Sequence, residues 1–131
     1  REKAHSLVNV DQRRDLALCL TERQGPKQEI HAVGRYFYLD KENLAEVAFF
    51  VRETKRGSGM ATVLLCKMMK IAPKRGVAKM LAYFRRDNQA MLHIFENYDF
   101  VRQPSDSLEE VVLCRTLEST DQNSELICEE E

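Results

Sequence analysis

The sequence predicts a mixed α+β domain built around one sheet, and three features of its patterning carry that prediction. Alternating or uniformly apolar stretches rich in β-formers occupy residues 14–54, separated by short turns. The apolar period changes to that of a helix at about residue 59. It changes back to that of a strand at residue 77. A strand, a helix and a strand in succession imply a right-handed crossover with parallel pairing. The earlier strands, joined by tight turns, imply an antiparallel meander.

The elements follow in order. RDLALCLTER (14–23) places Leu16, Leu18 and Leu20 on one face of a strand. QGPK (24–27) is a turn, and EIHAVGRYFYLD (29–40) is a second strand, dense in aromatic and β-branched residues. After the turn KEN (41–43), LAEVAFFVRET (44–54) is a third strand, apolar on both faces at its centre except for Glu46. Met60, Val63, Leu64, Met68 and Ile71 then recur at helical spacing over 59–72. Pro73 should end or kink this helix, and Gly76 suits its C-terminal cap. VAKMLAYF (77–84) returns to strand. Asn88 is a good N-cap for a second helix over 89–98, with Met91, Leu92 and Phe95 facing inward. EVVLCRTL (110–117) is the last strand. Residues 1–117 read as one domain, and 118–131 as an acidic, disordered tail.

The 131 residues suffice for one domain with a sizeable core. No apolar run is long enough to span a membrane. Cys19, Cys66, Cys114 and Cys128 are far apart, and His5, His31 and His93 equally so, which speaks for reduced thiols in a cytoplasmic protein and against a metal site. Residues 118–131 carry six acids and no base, and removing them leaves 20 bases against 15 acids. The excess sharpens from Arg52 to Arg86, with ten bases and Glu53 as the only acid. Such a segment attracts an anion: nucleic acid, a membrane surface or a phosphorylated small molecule. Stacking aromatics are not interleaved with these bases, which disfavours nucleic acid.

KRGSGMATVLL (55–65) sets a bare turn behind two cations at the mouth of a helix. A helix N-terminus offers unpaired N–H groups, and glycines ahead of it let an anion approach the backbone. The segment Arg56, Gly57, Ser58, Gly59, Met60 and Ala61 therefore reads either as a phosphate cradle or as an ordinary strand-to-helix turn. It is not a P-loop, because Met60 and Ala61 follow Gly59 where Lys and Ser or Thr are required. It is not a dinucleotide fingerprint, because position 62 is Thr62 and VAKMLAYF has no acid.

The pattern R-x-x-G-x-A, after a strand and opening a helix, resembles the acetyl-CoA loop of the GCN5-related N-acetyltransferases (GNAT family). AEVAFFV (45–51) before the loop, the second crossover strand, and RRDNQAMLHIFENYDF (85–100) follow in the family's order, from about Val10 to Leu117. The block GRYFYLDKENLAEVAFFVRETKRGSGMATVLL is most similar to bacterial protein lysine acetyltransferases. The resemblance implies the GNAT fold and acetyl-CoA as cosubstrate, with no metal. It implies that backbone N–H groups from Arg56 through Ala61 and Thr62 take the pyrophosphate. The pantetheine arm would lie along Phe49, Phe50 and Val51 as an added strand, where the sheet splays. Asn88, with Met91 in the helix that it opens, would contact the arm.

Acetyl transfer needs a neutral amine, and a lysine amine has an unperturbed pKa of about 10.4. A base must therefore take a proton, and the thioester oxygen needs a hydrogen-bond donor, here a backbone N–H near Phe50. The resemblance assigns the base to Glu46, acting on a protein lysine or, alternatively, a small amine. A structural alternative pairs Glu46 with Arg35 on the neighbouring strand. Two features depart from the family's pattern. Phe95 stands where many members have a tyrosine acid, and Asp99 replaces a glycine, a substitution that left-handed backbone tolerates. The family's opening strand and two helices have no counterpart ahead of Val10. That leads to the expectation of an incomplete domain from a longer multidomain chain. A non-catalytic acetyl-CoA sensor fused to another CoA-handling domain is the competing reading.

Overall fold

The structure, a computed structural model, describes residues 15–117 together with the backbone of residues 2–8. Its elements are β1 (Glu2–Val8), β2 (Leu16–Gln24), β3 (Lys27–Leu39), β4 (Leu44–Val51), a 3₁₀ turn (Glu53–Lys55), α1 (Met60–Lys74), β5 (Lys79–Arg85), α2 (Gln89–Asn97), β6 (Val101–Gln103) and β7 (Glu110–Thr116). The strands form one seven-stranded sheet in the order β1-β2-β3-β4-β5-β7-β6. All neighbours are antiparallel except β4 and β5, which α1 joins as a parallel pair. The expected meander, crossover and mixed α+β class are therefore present. The acidic tail lies outside the described residues.

Two expectations need correction, and one strand is added. The sheet does open with an N-terminal strand: β1 pairs antiparallel with β2, from Glu2 opposite Arg23 to Val8 opposite Ala17. Edge strands are held by backbone bonds on one side only and tolerate charge, so EKAHSLV gave little alternation to read. No helix precedes β2 among the described residues. The strand β6 was also not foreseen; it is three exposed residues recruited by pairing with β7. Finally, α1 runs through Pro73 to Lys74. It ends there, one residue past Pro73: Arg75 is the C-cap, Gly76 at φ 84° follows in left-handed backbone, and the N–H groups of Arg75 and Val77 both reach the Ala72 carbonyl.

Both helices pack on one face of the sheet. Leu64, Leu65, Met68 and Met69 of α1 and Leu92 and Phe95 of α2 are fully buried against Leu16, Leu18, Leu20, Tyr36, Met80, Ala82 and Leu113. Gly34 of β3 lies under α1, where a Cβ would stand 3.3 Å from the Leu64 Cβ and from the Phe49 ring. The absence of a side chain there sets how closely α1 approaches the sheet. Burial pushes the Tyr36 phenol above its ordinary pKa, an effect that Arg75 partly opposes. The opposite face, by strand alternation, carries Phe37, Glu46, Ala48, Phe50, Leu81 and Tyr83. Phe37, Phe50 and Tyr83 are exposed on it. No helix among the described residues is long and apolar enough to cross a membrane.

Candidate active site

The site begins where the parallel pair ends. β4 and β5 are in register only from Leu44 opposite Lys79 to Val47 opposite Ala82. Beyond that point β4 continues to pair with β3 as far as Val51 opposite Ala32, while β5 continues with β7. The two strands thus part, and the β5-facing edge of β4 from Ala48 to Val51 has no strand beside it. A V-shaped slot at the carboxyl ends of two parallel strands is a place where open α/β sheets bind ligands.

The connection from β4 to α1 closes one end of this slot. The 3₁₀ turn is followed by Gly57 at φ 80° and Gly59 at φ 86°, both in left-handed backbone. Nothing lies within 4 Å of where a Cβ would stand on either glycine, so the loop faces open space. Gly59 is the N-cap of α1 and provides no side-chain cap. Its carbonyl accepts from Val63 N, and the first N–H groups of the helix remain available for an acceptor from outside.

A cavity of about 500 Å³ joins slot and loop. Of the residues singled out by sequence, Phe49, Phe50, Val51, Arg56, Gly57, Gly59, Met60, Ala61, Asn88 and Met91 line it. Ser58 and Thr62 do not; the Ser58 hydroxyl donates instead to the Lys55 carbonyl, closing the turn. The Asn88 carboxamide oxygen accepts from Met91 N at 3.3 Å, so Asn88 is the N-cap of α2 and also a wall of the cavity. Lys55, one of the two cations ahead of the glycines, also lines it, with Phe84, Arg85, Asp87, Ala90 and Ile94, which were not assigned to the site from sequence. The places of these five depend on how β5 and α2 come alongside the loop, which no local pattern records.

Charge in the cavity is positive and partly fixed. The Arg56 Nε donates to the Val51 carbonyl at 3.4 Å. Arg85 forms a two-point contact with Asp87 at 3.1 and 2.9 Å. The guanidinium hydrogen bonds hold the Asp87 carboxyl below the ordinary aspartate range and raise Arg85. Lys55, Arg56 and Arg85 against Asp87 leave an excess of cations, as a multiply phosphorylated ligand requires.

Glu46 does not line this cavity. It is half-buried on the sheet's opposite face, in register between Phe37 of β3 and Leu81 of β5, one residue before the strands part. The Arg35 alternative is not realised: Arg35 is in register with Ala48, and its guanidinium lies 5.1 Å from the centre of the Phe37 ring. Phe95 is fully buried and meets Phe49, Phe84 and Phe100 edge-on at 5.5, 4.8 and 4.8 Å between ring centres. Asp99 adopts φ 71°, the left-handed turn anticipated for it. Tyr98 packs partly buried against the core.

A model of the acetyltransferase (GNAT) family matches residues 7–100, well over half of the chain. The chain belongs to the GNAT acetyltransferase family. Members of that family use acetyl-CoA. Among solved structures, the GNAT domain of S. lividans PAT superposes on this GNAT chain with a TM-score of 0.69 at 25% identity, covering 79% of this chain and 61% of that one. A cAMP-binding acyltransferase from Mycobacterium smegmatis gives 0.72 at 24% identity, covering 92% of this chain and 35% of that one. YncA from Salmonella typhimurium, solved with acetyl-CoA, gives 0.67 at 15% identity over 80% of this chain and 66% of that one; this likeness is one of fold. A Bacillus subtilis (strain 168) protein provisionally named phosphinothricin acetyltransferase YwnH is 34% identical over 56 residues, 43% of this chain and 34% of the relative. The GNAT chain thus spans about a third of that curated relative and about three fifths of the S. lividans domain.

Proposed function

We propose that this GNAT chain is the catalytic domain of an acetyl-CoA-dependent N-acetyltransferase, with Glu46 as general base and the cavity between β4, β5 and the glycine loop as the coenzyme site. The observation that carries the reading is the parting of β4 and β5 at Val47 and Ala82, directly beside a glycine-lined helix N-terminus. Acetyl-CoA supplies the acyl carbon as a thioester. The residues of the chain do the rest. Backbone N–H groups of Met60 and Ala61, with Lys55, Arg56 and Arg85, offer donors and charge to the pyrophosphate. The open edge of β4 offers peptide groups to the pantetheine arm, as a partner strand would. Glu46 sits at the apex of the slot, where the arm would end, and accepts the amine's proton, directly or through a water.

The acceptor reading is a lysine presented by a protein. Among the described residues, Phe37, Phe50 and Tyr83 are exposed on the sheet face that carries Glu46. Exposed aromatic side chains gathered on one face suit contact with a polypeptide. The name of the Bacillus subtilis relative favours a second reading, a small amino-acid-like amine. Thiol release from acetyl-CoA, measured with lysine-containing peptides, free lysine and phosphinothricin, separates them. The protein-lysine reading expects kcat/KM at least tenfold higher for a peptide than for either small amine. The reverse order would establish the second reading.

A further inference from the structure

A group of ionisable side chains, two of them buried, meets the cavity wall at Lys55. Glu22 of β2 and His31 of β3 are 3% and 2% exposed. Glu22 Oε1 is 3.3 Å from His31 Nδ1 and 3.5 Å from Lys55 Nζ. The other ring nitrogen of His31 is 3.5 Å from Glu29 Oε1. A β-bulge creates the arrangement: Leu20 pairs with Ala32 but Thr21 pairs with Ile30, so His31 is the extra residue. Bulges re-aim side chains and are enriched beside active sites.

The bulge is tied to the loop along the backbone as well. Arg52 N donates to the His31 carbonyl at 2.8 Å, and Lys55 N donates to the Arg52 carbonyl at 2.8 Å. The Arg52 guanidinium donates twice to the Ile30 carbonyl, at 3.2 and 3.0 Å. Lys55 is therefore held at both ends, by its peptide group through Arg52 and by its ammonium through Glu22. Its side chain is about one third exposed and forms part of the cavity wall.

We propose that Glu22 is a positioning residue for phosphate recognition, acting through Lys55; this rests on the coenzyme reading of the cavity. A carboxylate buried to this extent is costly unless ionic partners and hydrogen bonds compensate it. Lysine carries three donors on a flexible four-carbon stem. Pairing the ammonium with Glu22 at 3.5 Å restricts the stem before ligand arrives, while Lys55 still forms part of the cavity wall. Preorganisation of this type raises affinity by lowering the cost of ordering on binding. Glu22 itself does not line the cavity.

The test is calorimetric titration of the full chain with CoA and with pantetheine, which has the arm but no phosphate. Lys55→Gln is expected to weaken CoA binding about tenfold and Glu22→Gln about fivefold, with pantetheine unchanged in both. The double variant is expected to bind CoA no more weakly than Lys55→Gln alone. Non-additivity of this type marks groups that act as one unit; a purely structural Glu22 would weaken both ligands and add to the lysine effect. Unchanged CoA affinity in Lys55→Gln, unchanged or tighter CoA binding in Glu22→Gln, or additive losses would overturn the proposal. Should Glu22→Gln fail to fold by circular dichroism, Glu22→Asp replaces it, and the Lys55→Gln result stands independently. Failure of the unmodified chain to bind CoA would instead contradict the coenzyme reading itself.

Discussion

Glu46→Gln is expected to lower kcat by about 10²–10³-fold while the Kd for acetyl-CoA stays within about twofold. A positioned general base contributes about 10²–10⁴-fold, and an amide of nearly the same shape cannot take a proton. Glu46 lies off the coenzyme cavity, so ligand binding is not expected to follow the loss. It is half-buried between Phe37 and Leu81 in neighbouring strands, and glutamine preserves the packing there. The variant's remaining rate should rise with pH across the alkaline range, because only the free amine fraction of the acceptor then reacts without assistance. Thiol release at saturating acetyl-CoA, paired with a titration of acetyl-CoA into the same sample, checks both halves. An undiminished kcat would remove Glu46 from the reaction. A parallel loss of coenzyme affinity would point to a structural role.

Phe95→Ala is expected to cost about 3–5 kcal/mol of stability, the range for deleting a fully buried aromatic ring. Phe95 is the hub of an aromatic group that joins α2 to β4 through Phe49, to β5 through Phe84 and to the turn before β6 through Phe100. Edge-on pairs add to the burial term. Two of these partners, Phe49 and Phe84, also line the coenzyme cavity. The same substitution should therefore weaken CoA binding, even though Phe95 does not line the cavity itself. Urea unfolding gives the stability change directly. A loss below about 1 kcal/mol would mean that the cluster relaxes around the vacancy. The position also bears on chemistry. Phenylalanine has no proton to give, and its ring here is wholly committed to packing, so any protonation of the departing thiolate falls to another group.

Where local pattern and tertiary structure agree, the sequence was informative. Leu16, Leu18 and Leu20 alternate because one face of β2 meets the helices. Leu64 and Met68 recur at helical spacing because that stripe of α1 covers Gly34 and its neighbours. Gly57 and Gly59 were legible because left-handed backbone at a loop leaves glycine as the ready choice. β1 and β6 were not legible, since an edge strand and a three-residue strand owe their existence to the partner rather than to their own residues. The lining residues Phe84, Arg85 and Ile94 look like ordinary strand and helix positions until β5 and α2 are placed beside the loop. The same holds for Glu22 and Lys55, which are 33 positions apart and meet only because β2 and β3 bring the bulge beneath the 3₁₀ turn.

The central claim is that the glycine loop and the parted strands form the coenzyme site. Isothermal titration of CoA into the unmodified chain and into Gly59→Glu tests it most directly. Gly59 is in left-handed backbone at the helix N-cap and faces open space, so a glutamate there places a carboxylate at the phosphate position and adds backbone strain of about 1–2 kcal/mol. The account predicts measurable binding by the unmodified chain and none by the variant, with the far-ultraviolet circular dichroism of the two alike. Binding by a folded Gly59→Glu variant within about threefold of the unmodified chain would contradict it.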